Sequence, residues 1–301
     1  MRSRPMTCPS NPAAKTIGQI LAAGAAYLCR HGIAPDEART LAEILVEEVL
    51  GERHGRLTLR QAEGVSEAQL AQLRTHFQRL AAHEPIQYIL GHWPFHAIEL
   101  KTDPRALIPR PETEELVARI LRSEAWQSAS AVADIGTGTG AIVLALAHAA
   151  RQAGRKIAFT AVDLSPEALA LAQENARALA LEEAIDFRLG NGAAQLAQGA
   201  FDLIASNPPY IASAEVDALA PHIRDHEPRM ALDGGEDGLD ILRQLALDAA
   251  LALKPGGRLF LEIGDDQGLS MRRILECAGY TQVTIAQDFA GLDRYAEGSL
   301  P

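Results

Sequence analysis

The segment Asp134-Ile-Gly-Thr-Gly-Thr-Gly-Ala141 lies between an apolar run at 131–135 and an alanine-rich stretch with helical periodicity at 141–151. Glycines at such a point allow a tight turn from strand to helix, and they let a ligand approach the backbone N–H groups at the positive end of the helix. Read as G-x-G-x-x-G/A, the segment also fits a dinucleotide fingerprint through its first two glycines and its final alanine. The glycines therefore predict a ligand site but do not identify the ligand.

The chain after Pro111 alternates between predicted strands and predicted helices. The predicted strands are 131–135, 157–162, 185–189, 201–206, 258–263 and 281–286, and the predicted helices between them are 141–151, 166–179, 239–253 and 267–278. This alternation predicts an α/β fold with a mainly parallel sheet, helices on both faces, and ligands at the carboxyl ends of the strands. Asp163 ends the second of these strands, where a carboxylate can accept hydrogen bonds from both hydroxyls of a ribose.

The first ninety residues show helical periodicity and no convincing strand pattern. Helices are predicted at 16–30, 35–50 and 66–82, which together predict a small all-α bundle. Short alternating segments broken by prolines follow and predict a hairpin or connector. We therefore expect a flexible tail, a helical domain, a hairpin or linker and an α/β domain, at residues 1–14, 15–90, 91–110 and 111–301.

Composition and charge exclude several classes of protein. The chain has 301 residues, of which 48% are hydrophobic and 22% charged, as in ordinary globular proteins. No stretch approaches the roughly 18 apolar residues of a membrane span. Residues 1–90 carry 10 basic and 9 acidic side chains, and residues 91–301 carry 18 basic and 30 acidic ones. The negative net charge of −11 therefore comes from the α/β part. We expect no membrane insertion and no stable binding of nucleic acid, whose affinity depends on neutralising phosphates.

Cysteines and histidines give no metal or disulfide pattern. Cys8, Cys29 and Cys277 are an odd number at unrelated spacings, which predicts a reducing, cytoplasmic location. Histidines four residues apart occur twice, at 92 and 96 and at 222 and 226, but neither pair has a nearby cysteine or an H-E-x-x-H arrangement. We expect no metal ion.

The four residues Asn207-Pro208-Pro209-Tyr210, directly after the strand at 201–206, indicate the chemistry. Consecutive prolines have fixed φ and no N–H, so their carbonyls are rigid acceptors. A planar –NH2 group fits them: one hydrogen can go to the Asn207 side-chain oxygen and the other to the Pro208 carbonyl, with Tyr210 stacked on the plane. Holding both hydrogens aims the nitrogen lone pair, so a methyl group on a sulfonium could be attacked through positioning alone.

Several motifs together resemble the class I S-adenosylmethionine-dependent methyltransferases, and more narrowly the HemK/PrmC family. These motifs are 84–91 (Glu-Pro-Ile-Gln-Tyr-Ile-Leu-Gly), 107–114 (Leu-Ile-Pro-Arg-Pro-Glu-Thr-Glu), 136–140, 207–210, 227–228 (Glu-Pro) and 237–239 (Asp-Gly-Leu). Members of that family methylate the side-chain amide nitrogen N(5) of the glutamine in the Gly-Gly-Gln motif of class 1 peptide chain release factors. The resemblance covers roughly residues 35–300.

The resemblance implies a Rossmann-like fold with a mainly parallel seven-stranded sheet, plus an N-terminal helical domain that docks the release factor. It implies S-adenosylmethionine as cofactor, S-adenosylhomocysteine as product, and a cofactor site made of Gly136, Thr137, Gly138, Thr139, Gly140, Asp163, Asn191, Gly192 and Asn207. It assigns the catalytic and substrate-binding roles to Asn207, Pro208, Pro209 and Tyr210. Beside them it implies an acceptor pocket shaped by Pro109, Arg110 and Glu112.

One position departs from the family. After the third strand the family usually has an acidic residue followed by a bulky aromatic that borders the adenine, whereas this chain has Asn191 and Gly192. Asn191 can still bond an adenine edge, but Gly192 offers no stacking surface. We therefore expect weaker or differently packed adenine binding.

Four alternatives remain open on the sequence. A glutamine methyltransferase of a ribosomal protein would share the fold, the glycine loop and the amide clamp, although the segment 107–114 favours the release-factor branch. An amino-methylating DNA enzyme shares the Asn-Pro-Pro-Tyr chemistry but fits the acidic charge poorly. An NAD-dependent oxidoreductase leaves the paired prolines unexplained. A non-catalytic module that binds release factor or ribosome is the fourth.

Overall fold

A computed structural model describes residues 15–52 and 56–301, and these divide into two units after Leu90. The predicted tail at 1–14 lies outside the described residues. None of the helices in the described ranges is long and apolar enough to cross a membrane.

The first unit is helical. Its elements are α1 (Ile17–Arg30), α2 (Pro35–Leu50), a 3₁₀ turn (Leu57–Leu59), α3 (Glu67–Ala81) and α4 (Ile86–Leu90). Capping boxes start α1 and α3, because Thr16 and Ser66 each exchange hydrogen bonds with a glutamine three residues on. Apart from α4, these are the predicted helices to within a residue.

The second unit begins with a hairpin and continues as alternating strands and helices. Its elements before the first central strand are β1 (His92–Phe95), β2 (Ile98–Lys101), α5 (Pro111–Arg122) and α6 (Glu124–Ser128). The elements that follow are β3 (Ala131–Ile135), α7 (Ala141–Gln152), β4 (Ala158–Asp163), α8 (Pro166–Ala178), β5 (Ile185–Leu189), β6 (Phe201–Ser206), α9 (Ser213–Val216), α10 (Pro221–Arg224), α11 (Asp240–Ala252), β7 (Leu253–Glu262), α12 (Gly268–Cys277), β8 (Thr281–Gln287) and β9 (Asp293–Ser299). Two short 3₁₀ turns lie at Glu182–Ala184 and Arg229–Ala231.

The central sheet has seven strands in the order β5-β4-β3-β6-β7-β9-β8. The first five are parallel, and β9 runs antiparallel to both of its neighbours. This confirms the predicted α/β fold. The strand β9 is missing from the six strands located in the sequence, because its Asp-Arg-Tyr-Ala-Glu-Gly-Ser carries three charged residues. It is buried nonetheless, and Arg119 on α5 pairs with its Glu297 at 3.0 Å.

The register of the central strands positions the site. Ile135 on β3 lies beside Val162 on β4 and beside Ser206 on β6, so the three strands end at one level. Buried side chains of β3, β4, β6 and β7 fill both faces of the sheet, against α5 and α7 on one side and α11 and α12 on the other. The residues that follow these strands therefore share one edge above a packed core.

Candidate active site

Glycines in the loop after β3 adopt the left-handed conformation for two different reasons. Gly136, Gly138 and Gly140 have φ of +69°, +55° and +85°. A Cβ on Gly136 would meet open space, whereas a Cβ on Gly140 would lie 2.7 Å from Leu144 Cδ1. Gly140 thus permits the packing of α7, and Gly136 leaves room beside the backbone for a ligand.

Asp134 fixes the shape of this loop from beneath. It is fully buried, and its Oδ2 accepts hydrogen bonds from Thr137 Oγ1 at 2.7 Å and from the Val143 N–H at 3.2 Å. Its other oxygen has no hydrogen-bond partner among the described residues. Burial raises the pKa of Asp134 to about 7. Asp134 is not among the site residues predicted from the sequence.

Asp163 joins the end of β4 to the same loop. Its Oδ2 accepts from the Gly138 N–H at 2.8 Å and its Oδ1 from the Ser165 N–H at 2.9 Å, while Ser165 caps α8. Burial raises the pKa of the Asp163 carboxyl above its ordinary value. A carboxylate has about four lone-pair sites, so each oxygen can accept a further hydrogen bond from a ligand.

A cavity of about 410 Å³ opens at this edge of the sheet, within the roughly 300–1,000 Å³ usual for small-molecule pockets. Of the predicted site residues, those that line it are Pro109, Arg110, Gly136, Thr137, Gly138, Thr139, Asp163, Asn191, Gly192, Asn207, Pro208 and Pro209. Gly140, Tyr210 and Glu112 are predicted site residues that do not line it. The cavity brings together the open glycine turn and the Asp163 carboxylate, which fits a ligand with a ribose and an amino-acid moiety.

Asn207 has a fixed side-chain orientation. Its Nδ2 donates a hydrogen bond to Thr113 Oγ1 at 3.0 Å, and Thr113 Oγ1 in turn donates to Glu262 Oε2 at 2.7 Å. Both Thr113 and Glu262 are buried. Because Nδ2 is held by Thr113, Oδ1 is left as an acceptor.

Thr113 and Glu262 were not among the predicted site residues. Each left a signal in the sequence: Thr113 lies inside the motif at 107–114, and Glu262 is the lone carboxylate in the apolar run 259–263. A buried charged residue within such a strand is informative because carboxylates are rarely buried without a partner.

Tyr210 reaches the same carboxylate from the other side. Its hydroxyl donates to Glu262 Oε1 at 3.3 Å, and the guanidinium of Arg294 lies 6.0 Å from its ring centroid. Burial, helped by the charge of Glu262, raises the pKa of Tyr210 well above its ordinary value, so the hydroxyl stays protonated. Gln267 Nε2 donates to the Tyr210 carbonyl at 2.8 Å and fixes the backbone after the motif.

Arg110 is held by an ion pair. Its guanidinium lies 2.5 Å from Glu227 Oε1, and Glu227 Oε2 accepts from the Ile108 N–H at 3.0 Å. The Glu227 side chain is fully buried. Through these two hydrogen bonds, Glu227 of the Glu-Pro motif at 227–228 fixes the position of residues 108–110, which line the cavity. The nearby carbonyl of Glu112 accepts from the hydroxyl of Tyr295 at 3.0 Å.

Gly192, in the segment after β5, lines the cavity with no side chain of its own. Gly192 has φ of +64°, and a Cβ built there would lie 3.8 Å from Asp248 Oδ2. Gln244 Nε2 donates to Asp248 Oδ1 at 2.9 Å. No phenylalanine, tyrosine or tryptophan of the described chain lines the cavity, so no ring is available there to stack on a base.

Within residues 15–52 and 56–301, no three His, Cys, Asp or Glu side chains are grouped to hold a metal ion. His92, from one of the two histidine pairs, lies 3.6 Å from Glu99 on the facing strand of the hairpin.

Known proteins resemble the chain along nearly its whole length. The model of the PrmC N-terminal domain matches residues 19–91, and that of the methyltransferase small domain matches residues 113–236. The curated release factor glutamine methyltransferase of Caulobacter vibrioides is 37% identical, over 87% of this chain and 90% of its own length. That of Moorella thermoacetica is 38% identical, over 93% of this chain and 96% of its own. The chain belongs to the release factor glutamine methyltransferase family.

Two solved structures share the fold of this family member. A methyltransferase from Pyrococcus furiosus aligns with a TM-score of 0.50 at 19% identity, over 78% of this chain and 98% of its own. A T. thermophilus 16S rRNA N2 G1207 methyltransferase, solved with AdoMet and guanosine, aligns with a TM-score of 0.51 at 18% identity, over 70% of this chain and 50% of its own. The predicted family and methyltransferase fold are confirmed, and the protein is an enzyme that uses S-adenosylmethionine.

Proposed function

We propose that this protein transfers a methyl group from S-adenosylmethionine to the side-chain amide nitrogen of the glutamine in the Gly-Gly-Gln motif of class 1 peptide chain release factors. The observation that carries the proposal is the orientation of Asn207, whose Nδ2 is engaged by Thr113 so that Oδ1 can accept from an incoming amide. The names of the curated relatives support the same acceptor.

The cofactor would be held by the loop at 136–140 and by Asp163. Backbone N–H groups at the start of α7 can bind its carboxylate, and the Asp163 oxygens can accept from both ribose hydroxyls. Asn191 and Gly192 would border the adenine. When bound, S-adenosylmethionine supplies a methyl group carried on a positively charged sulfur.

The acceptor amide would be held by the Asn-Pro-Pro-Tyr segment. Its two N–H hydrogens would go to Asn207 Oδ1 and to the Pro208 carbonyl, which directs the nitrogen lone pair towards the methyl group. The N–C bond forms as the S–C bond breaks, and the methylated nitrogen then loses one proton to water. The Tyr210 hydroxyl stays protonated and so does not serve as a general base, and positioning of the amide supplies the acceleration.

We also propose that the helical residues 15–90 dock the release factor. The acidic α/β part supports a protein acceptor over a nucleic acid, since Arg105 and Arg110 are the only basic residues among the described residues that line its cavity. We further propose a cytoplasmic location, where release factors act.

The test is transfer of a labelled methyl group to a purified class 1 release factor, with two controls: a release factor whose Gly-Gly-Gln glutamine is replaced, and an Asn207→Ala enzyme. The proposal requires label only when both proteins are intact. Label on a ribosomal protein or on DNA in place of the release factor would overturn it.

A further inference from the structure

The hydrogen bonds beneath Asn207 have a direction. Glu262 sits at the end of the chain Asn207–Thr113–Glu262, with distances of 3.0 Å and 2.7 Å between successive partners. An ionised carboxylate accepts only, so the Thr113 hydroxyl must place its single hydrogen on Glu262. The Thr113 oxygen can then only accept from Asn207, and Nδ2 turns towards it.

Protonation of Glu262 on Oε2 would reverse this direction. The carboxylic acid would donate to Thr113, whose own hydrogen would turn to Asn207 and require Oδ1 there. The Asn207 amide would then present Nδ2 to the substrate, and two N–H groups would face each other. Such a pair cannot hold the acceptor amide.

We propose that Thr113 and Glu262 are positioning residues that select which atom of the Asn207 amide faces the substrate, and that ionised Glu262 sets the productive orientation. This proposal rests on the proposed function for its consequence in catalysis. The orientation itself can be measured without any substrate.

The charged and titratable groups around Glu262 come from three elements. Tyr210 donates to it from the loop after β6, Arg294 and Tyr295, the register partner of Glu262, face it from β9, and Glu112 faces it from α5. Burial raises the pKa of Glu262 to about 7, although the hydrogen bond from Thr113 and the charge of Arg294 act to lower it. The reversal is therefore expected near neutral pH.

The first experiment follows the Asn207 side-chain amide by ¹H–¹⁵N NMR in the full-length protein between pH 5 and 9, with its signal assigned by loss in Asn207→Asp. In the wild-type protein the signal should shift with a midpoint near pH 7. It should show no such midpoint in Glu262→Gln or Thr113→Val, whereas Thr113→Ser should keep it. Thr160→Val, which removes another buried threonine hydroxyl from β4, is the matched control and should behave as wild type. A wild-type signal that does not titrate, or that titrates unchanged in Thr113→Val, would overturn the proposal.

The second experiment measures kcat against pH with a release factor as acceptor. Wild-type kcat should rise through pH 7, and Thr113→Val should lower kcat roughly 10- to 100-fold and remove that rise, as expected for a misplaced reacting group. Binding of S-adenosylhomocysteine should change less than about threefold, and Thr113→Ser should recover most of kcat. A Thr113→Val enzyme that keeps the wild-type kcat and pH profile contradicts the positioning role. If the wild-type protein methylates no release factor while its Asn207 amide titrates as described, the proposed acceptor fails and the positioning role stands.

Discussion

The carboxylate of Asp163 and the backbone N–H of Gly138 are joined by a hydrogen bond of 2.8 Å, which links the end of β4 to the glycine loop that follows β3. One side chain thus shapes the loop and also faces the cavity. The two roles can be separated by substitution.

Asp163→Asn keeps an oxygen that can accept from Gly138 but loses the charged acceptor for a ribose. We expect roughly 10-fold weaker binding of S-adenosylhomocysteine, and roughly 100-fold weaker binding for Asp163→Ala, which removes both acceptors. Isothermal titration calorimetry measures both constants. Asp266→Ala, on an exposed turn after β7, is the control and should bind as wild type. Equal affinities for the wild-type and Asp163→Ala proteins would exclude the ribose role.

Glu227 stabilises the cavity wall through two hydrogen bonds, to Arg110 and to the Ile108 N–H. Glu227→Ala leaves a partly exposed guanidinium and a buried N–H without an acceptor, so the free energy of unfolding should fall by roughly 2–4 kcal/mol. Glu227→Gln should lower the free energy of unfolding by less, because its side-chain oxygen can still accept from the Ile108 N–H. Urea denaturation followed by circular dichroism gives both values. Arg188→Ala, which breaks a surface pair with Asp186, should change the free energy by less than about 1 kcal/mol.

Asp134 makes stability depend on pH with a definite sign. Because burial raises its pKa from 3.8 to about 7, the folded protein binds more protons than the unfolded chain between those values. Its contribution is complete below about pH 4 and is lost as the pH rises through 7. Asp134→Asn should reduce the fall in the free energy of unfolding between pH 5 and pH 8 by roughly 2–4 kcal/mol.

Asp202→Asn is the control for that measurement and should change as wild type between pH 5 and 8, because Asp202 titrates below that range. Burial acts to raise the pKa of Asp202, but Lys254 together with hydrogen bonds from Ser130 and Ala131 outweighs it and lowers that pKa to about 2. Its contribution is therefore present above the unfolded pKa and lost in acid. If the free energy of unfolding changes equally between pH 5 and 8 in Asp134→Asn and in the wild-type protein, the Asp134 carboxyl is ionised throughout that range and the prediction for Asp134 is wrong.

Gly192 lines the cavity where we propose that the adenine binds, and no aromatic ring of the described residues lines that cavity. We expect Gly192→Trp to bind S-adenosylmethionine more tightly than the wild-type protein, because base stacking on an aromatic ring contributes roughly 1–3 kcal/mol. The φ of +64° imposes roughly 1–2 kcal/mol of strain on any other residue, which lowers the free energy of unfolding of both the free and the bound protein. Gly192→Ala has the same strain without the ring and is the matched reference. Calorimetry that finds the wild-type protein binding as tightly as Gly192→Trp would contradict the prediction.

The sequence by itself determined the alternation of strands and helices, the glycine loop, the acid at the end of β4 and the Asn-Pro-Pro-Tyr segment. Each of these is a local pattern: periodicity, turn chemistry or a short motif, whose physical cause lies within a few residues. The charged β9 carries no such pattern. It is a buried strand because β7 and β8 flank it and Arg119 pairs with Glu297.

The tertiary structure alone decided which side chains support the site. Thr113, Asn207 and Glu262 are far apart in the chain, and they meet because α5 packs against β7 while β6 and β7 are parallel neighbours. It also paired Arg110 with the buried Glu227. A hydrogen bond between side chains 94 or 149 residues apart leaves no periodicity in the sequence, because its geometry exists only once the sheet has closed.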